Sequence, residues 1–317
     1  MSYSSGGQVQ ATDYNGFVST TTGGNVNATW NSAYGQTALA TLSVGATVSA
    51  TQWASLNSTI SAMANHQNTV ITSRTNPVAG GQINILANIA ADIGSCYTNR
   101  ANAYAQGTQF TGWTGTASKT TGTGTGTNAW TITFTNTVTF ANTSAATYFF
   151  NAGGMIKIQF SKTSTGTTTD TEWNNFVNTV CGTVYLTSTG ASKKLSGTTY
   201  TGTTKIGGTG TPTTLATSTG FAQLTSSPTV LYKQFDNGTA YSANYVDVSA
   251  VVSGGVLTLT STWYDNGDPN GSAISGGSAT TGISFGSAPA TVVTYYPPET
   301  NYIANTWGAV TVASTVA

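Results

Sequence analysis

His66 is the only histidine in the chain, so any triad or proton relay built on imidazole must pass through it. It stands at the C-terminal end of a helical stretch, where an imidazole can meet the helix dipole or a carbonyl. No acid, nucleophile or second ligand accompanies it in sequence. Glycosidic hydrolysis needs paired carboxylates. The chain offers two Glu, Glu172 and Glu299, and seven scattered Asp. Glu172 follows Thr169 at the spacing of a capping box, which explains it without chemistry. The densest acidic run is Asp265-Asn266-Gly267-Asp268-Pro269-Asn270-Gly271. Its oxygens are of the kind that binds calcium, but it lacks the terminal bidentate acid of an EF-hand loop. The same residue types make an ordinary turn on backbone grounds. Gly122, Gly124 and Gly126 alternate with Thr, and no Lys-Ser/Thr follows, so the run is a connector and not a phosphate loop. Cys96 and Cys181 are too few for a disulfide scaffold and sit in no CxxC pattern; they fit small core positions. Lys193 and Lys194 read as solvated charge. No catalytic, cofactor-binding or metal-binding residue is assigned, and a non-enzymatic role is expected.

The elements around these residues change character along the chain. Trp53, Leu56, Ile60 and Met63 recur at helical spacing in 49–67, with Ser49 or Thr51 available as a cap. Ile85, Ile89, Ile93, Cys96 and Arg100 repeat the pattern in 82–105. Asn76-Pro77 and Gly80-Gly81 separate the two helices. Residues 12–20 predict a short helical turn capped by Thr12. After 118–128, a Gly/Thr connector, the period falls to two. Trp130, Ile132 and Phe134 alternate with Thr, and Ile156, Ile158 and Phe160 alternate with Lys157 and Gln159, as half-buried strands do. A short helix is predicted at 169–180, with Trp173, Phe176, Val177 and Val180 on its buried stripe. Strands are predicted at 183–188, 229–235, 244–252, 256–264 and 290–296, with loops or a hairpin in 189–220. Asp236-Asn237-Gly238 and Ser253-Gly254-Gly255 are hairpin turn signals. The fold expected is mainly β: an antiparallel β-sandwich at 115–296, preceded by an α-helical attachment region at 1–114 and followed by an extended arm at 297–317 that needs a neighbour to hold it.

Composition narrows the partners. Only 6% of the 317 residues are charged, and nine Lys and Arg balance nine Asp and Glu. A phosphate-binding protein carries a basic surplus, so no nucleic acid is expected. No apolar run approaches the ~18 residues of a spanning helix, so no membrane insertion is expected. The N-terminus MSYSSGGQVQ lacks the basic and apolar regions of a signal peptide. About a fifth of the chain is Thr. A surface of hydroxyls with little charge has weak colloidal repulsion and suits a subunit fixed in an assembly.

Several segments carry a resemblance. They are Tyr34-Gly35-Gln36, Ala50-Thr51-Gln52-Trp53, His66-Gln67, Tyr97-Thr98-Asn99-Arg100 and the run Tyr148-Phe149-Phe150-Asn151-Ala152-Gly153-Gly154-Met155-Ile156-Lys157-Ile158. Together with Trp173 they resemble virion structural, tail-fibre-like proteins of tailed marine bacteriophages, particularly contractile-tailed cyanophages. The resemblance implies a virion component without catalytic residues, placed in a fibre, baseplate or neck. Its partners would be other virion proteins and copies of itself, a trimer among the arrangements considered. Trp53, Tyr148, Phe149, Phe150 and Trp307 are the candidate interaction residues. The Asn151-x-Gly153-Gly154 run is expected to turn the chain sharply into a strand, with the three aromatics as an apolar anchor. A second reading is an adhesin for host-surface glycans, with Trp113, Trp263 and Trp307 as stacking platforms. A third is a polysaccharide-degrading enzyme using Asp265 or Asp268.

Overall fold

A computed structural model describes residues 9–20, 24–78, 86–103, 114–118, 130–163, 168–190, 192–195, 197–237, 242–266 and 289–317. Trp113, Gly122, Gly124, Gly126 and Asp268 lie outside the described residues. In chain order the helices are α1 (Ala11–Asn15), α2 (Val26–Trp30), α3 (Ala50–Gln67), α4 (Leu86–Thr98), α5 (Thr143–Asn151) and α6 (Thr168–Asn175). The strands are β1 (Thr114–Ser118), β2 (Trp130–Thr139), β3 (Met155–Ser161), β4 (Thr183–Leu186), β5 (Ser192–Leu195), β6 (Thr198–Thr201), β7 (Thr203–Ile206), β8 (Thr214–Leu215), β9 (Thr229–Phe235), β10 (Tyr245–Ser253), β11 (Val256–Asp265), β12 (Ala290–Tyr296) and β13 (Thr311–Val316).

The helical region closes on its own core. Ser49 caps α3 through a reciprocal box: its hydroxyl accepts from the Gln52 amide at 3.2 Å, and Gln52 Oε1 accepts from the Ser49 amide at 2.7 Å. Asn68 ends the helix in the left-handed region at φ 53°. Trp53, Leu56, Ile60 and Met63 are buried as their spacing predicts, against Tyr14, Phe17, Ile89, Ile93 and Cys96. Near the N-terminus Gln10, rather than Thr12, holds the cap position, and a wider π turn over Gly16–Thr20 continues α1. Helix α4 stops at Thr98, so Asn99 and Arg100 lie in the turn beyond it.

The rest is an antiparallel sandwich. One sheet has the order β1-β12-β3-β4-β7 and the other β13-β2-β11-β10-β9-β8. Alternation puts Ile132, Phe134 and Val138 of β2 inside and its threonines outside. Helix α6 places Trp173 flat on Trp263 of β11, ring centroids 5.9 Å apart and 4° from parallel. That helix begins at Thr168, so Thr169 lies inside it and not at its cap. Ser253 pairs with Val256, which makes Gly254-Gly255 the predicted two-residue turn. Within 189–220 the chain forms the β5–β6 hairpin, β7 and β8.

One expectation is corrected and a second is refined. The segment 297–317 is not an arm waiting for a neighbour. Thr311–Val316 pairs along β2 as an edge strand, and Ile303, Trp307, Val310 and Val312 sit in the sandwich core. The chain supplies its own partner because the sixth strand covers an edge β2 would otherwise leave open. The expected sharp entry into a strand forms after Asn151, but the run Tyr148-Phe149-Phe150-Asn151 before it is helical, which the sequence pattern did not assign. It is the last part of α5, and Asn142 caps that helix by accepting from the Ala145 amide at 2.9 Å. The turn follows at Gly153, where φ is 106°. Gly154 is fixed by proximity: a Cβ there would lie 2.5 Å from the Phe149 ring.

Both cysteines are free and buried. Burial pushes the Cys96 thiol up from 9.0 to about 11, while the Arg74 charge pulls the other way. Below pH 9 both folded and unfolded chains hold that proton; between pH 9 and about 11 the unfolded chain releases it first. Stability therefore falls as pH rises through that window. Urea midpoints taken across it should decline, and Cys96→Ala should make the decline shallower. In the core, Phe150 stacks on Phe221 at 4.3 Å. Phe150→Ala should cost about 3–5 kcal/mol in the same urea assay.

Candidate interaction site

The segments singled out in sequence meet at one place. Tyr34 follows α2 and is completely buried between the helical region and the sandwich. Its hydroxyl donates to the Arg100 carbonyl at 2.9 Å and accepts from Gln67 Nε2 at 2.8 Å. Its own carbonyl accepts from Thr306 Oγ1 at 2.5 Å. Gln36 clasps Ala304 in both directions: its amide donates to the Ala304 carbonyl at 2.8 Å, and its Oε1 accepts from the Ala304 amide at 3.0 Å. Asn151 Nδ2 donates to the Ala33 carbonyl at 3.4 Å. A Cβ on Gly35, whose φ is 69°, would come within 2.4 Å of the Tyr148 ring, so this close approach admits glycine alone.

His66 belongs to the same joint. Its ring meets Tyr34 edge-on at 5.3 Å, and Nε2 lies 2.9 Å from the Ala152 carbonyl. A carbonyl oxygen can only accept, so Nε2 carries the proton. The expected carbonyl contact exists, but the carbonyl follows α5 and is not on the histidine's own helix. Arg100 lies over the Tyr97 ring at 3.9 Å and bonds the Tyr97 carbonyl through Nη1. Burial raises the Tyr34 pKa far above that of an ordinary phenol, so the hydroxyl keeps its proton. Sequence separations of 33 to 272 residues vanish here.

Of the five candidate interaction residues, four turn inward. Trp53 packs edge-on to Tyr14 in the helical core. Phe149, Phe150 and Trp307 lie in the sandwich core. Each is at most 3% exposed, so none offers a surface to a partner. Tyr148 is half-buried over Gly35. Aromatic area is the most favourable material to bury, and this chain uses it for itself. Trp263 is also fully buried, its Nε1 3.3 Å from Thr291 Oγ1, so neither it nor Trp307 can stack on a sugar.

The acidic candidates behave likewise. Asp265 ends β11, is buried, and accepts from Trp173 Nε1 at 3.1 Å. Glu299 is buried and accepts from Asn301; burial raises its pKa, and that hydrogen bond lowers it. Among the described residues no group of three or more His, Cys, Asp and Glu gathers to hold a metal, and no helix is long and apolar enough to cross a membrane.

What remains outside is a surface that the aromatic motifs did not point to. The outer face of the six-stranded sheet carries Thr131, Thr133, Thr135, Thr137 and Thr139 on β2, Thr258, Thr260 and Thr262 on β11, and Thr311 and Thr315 on β13. They pair across strands as Thr137 with Thr258, Thr135 with Thr260 and Thr139 with Thr311. The signal was present in the alternating threonines of 131–139, which mark the solvent side of a strand as clearly as Ile132 and Phe134 mark the core side.

No family model, curated protein or solved structure matches the chain.

The joint makes a direct prediction. Tyr34→Phe keeps the ring but leaves the Gln67 amide and the Arg100 carbonyl without the hydroxyl. An unmade buried hydrogen bond costs more than a made one contributes, so the loss should be about 1–3 kcal/mol in urea unfolding. An unchanged midpoint would show that the hydroxyl does not tie the segment after α2 to the end of α3 and the turn after α4.

Proposed function

We propose that this chain is a non-enzymatic structural protein of a tailed-bacteriophage virion, associated with the tail and acting through contacts with other proteins. The observation that carries the proposal is the division of labour among side chains. The candidate groups for chemistry or sugar stacking that the structure describes, Trp263, Trp307, His66, Asp265 and Glu299, are taken up inside. Across β13, β2 and β11 the outer sheet face is left mainly with hydroxyls and methyls and no charge, Tyr264 at its end being the one ring. The threonine-covered centre of that face gives no purchase to a charged substrate and no ring on which a sugar could stack. It does suit a neighbouring protein surface, where small side chains permit close approach. The resemblance of the Tyr34, His66, Tyr97 and Tyr148 segments to virion proteins supports the same reading.

Helical region and sandwich are tied by the buried Tyr34 joint, an arrangement suited to a rigid spacer between two neighbours. A subunit that bears load in a particle needs such a junction more than a cleft. Peptide mass spectrometry of gradient-purified particles tests the proposal. The chain should appear in fixed stoichiometry with other tail proteins. Its absence from particles, while present free in the lysate, would sink the idea.

A further inference from the structure

We infer that two copies of this chain pair face to face through the outer surface of β13, β2, β11 and β10, a deepening of the structural role proposed above that also rests on it. The argument begins with charge. On β13, β2 and β11 this face carries no Asp, Glu, Lys, Arg or His. Its centre is the cross-strand row Thr315, Thr135, Thr260 and Ser249. A two-fold contact brings the same patch of each copy together, so any charge near the axis would meet its like. A hydroxyl both donates and accepts, which makes an array of Thr and Ser complementary to itself.

The charged residues lie to one side and are mutually engaged. Lys233 stands opposite Asp247 across β9 and β10 and sits 3.5 Å from the Tyr245 ring centroid. Tyr245 is stacked on Tyr264 at 4.8 Å. Lys233, Tyr245 and Tyr264 thus engage one another, and this margin serves as a polar rim to the charge-free centre.

Twist and area select the occupant. A sheet of this kind twists by about 20–25° per strand, which spoils its register with any flat lattice. A second copy has the same twist by construction, and two such sheets pack aligned at about −30° with side chains interdigitated. Ten residues of β2 extend ~33 Å, and four strands are ~19 Å wide, so each copy offers on the order of 600 Å². Doubled, that reaches about 1,200 Å², the lower bound of stable protein interfaces. The main neighbours of these strands among the described elements are other strands of the same sheet, with β1 and β12 of the opposing sheet. The outer face is therefore not spent within the described fold.

Sedimentation equilibrium on the full chain tests the pairing. The wild type should be dimeric. Thr135→Arg with Thr260→Arg puts guanidinium groups at the centre of each face and should weaken dimerisation at least about tenfold. Near-ultraviolet circular dichroism of the Trp173–Trp263 stack reports whether the variant remains folded. If it does not, Thr315→Arg on the edge strand, where charge is well tolerated, should produce the same loss. A wild-type monomer at all attainable concentrations overturns the inference, as does a trimer, or a dimer indifferent to arginine in a folded variant. A monomer found in purified particles overturns the pairing and leaves the virion role standing. A dimer missing from particles does the reverse.

Discussion

Buried Tyr34, through its ring, hydroxyl and backbone carbonyl together, is the residue on which the arrangement of this protein turns. It lies where four separate segments pass, and it bonds a glutamine from the end of α3 and a carbonyl from the turn after α4. Two further contacts, from Gln36 and Thr306, bring in the stretch between β12 and β13. Each neutral hydrogen bond contributes only about 0.5–1.5 kcal/mol net, so their sum is modest. Their effect is on geometry. A buried polar group tolerates few positions, because every displacement leaves a donor or acceptor unpaired in a medium that cannot replace the partner. The joint thus fixes how the helical region meets the sandwich more narrowly than apolar contact alone would.

Apolar packing, much of it aromatic, fills both cores. Trp173 on Trp263, Phe150 on Phe221 and Phe160 on Tyr232 form stacked pairs inside the sandwich. Rings of this size bury much area for few lost rotamers, which matters in a chain with little charge to organise its surface. The consequence for function is a clean separation. Apolar bulk goes inward, and small hydroxyl side chains go outward. β-Branched threonine is at ease in an extended strand, so the outer face can be almost uniform without weakening the sheet. The C-terminal strand completes this face, since Thr311 and Thr315 extend the β2 rows by one strand.

The two sides of the chain's chemistry were unequally legible. Helices α3 and α4 and strands β2, β3, β4 and β9 to β12 follow from periodicity, since one buried face demands one spacing. The antiparallel sandwich follows from short alternating strands with glycine turns between them. The turn at Gly153 was legible, but the helix before it was not, because Asn-x-Gly-Gly fits both a hairpin and a helix end. The capping asparagine nine residues earlier, Asn142, was the sign of a helix. The C-terminal strand was misjudged for another reason. Nothing local to Thr311–Val316 says that its partner is β2, some 175 residues away.

The sequence by itself determined the types of its periodic elements, their inward stripes and the poverty of charge, because each depends on residue identity and on neighbours two to four positions off. The tertiary structure alone decided that Tyr34, Gln36, His66, Gln67, Arg100, Asn151 and Thr306 form one joint, and that Trp307 fills the core instead of the surface. Those are contacts between distant segments. They are selected by which packing satisfies every buried group at once, a condition no local stretch of residues can express.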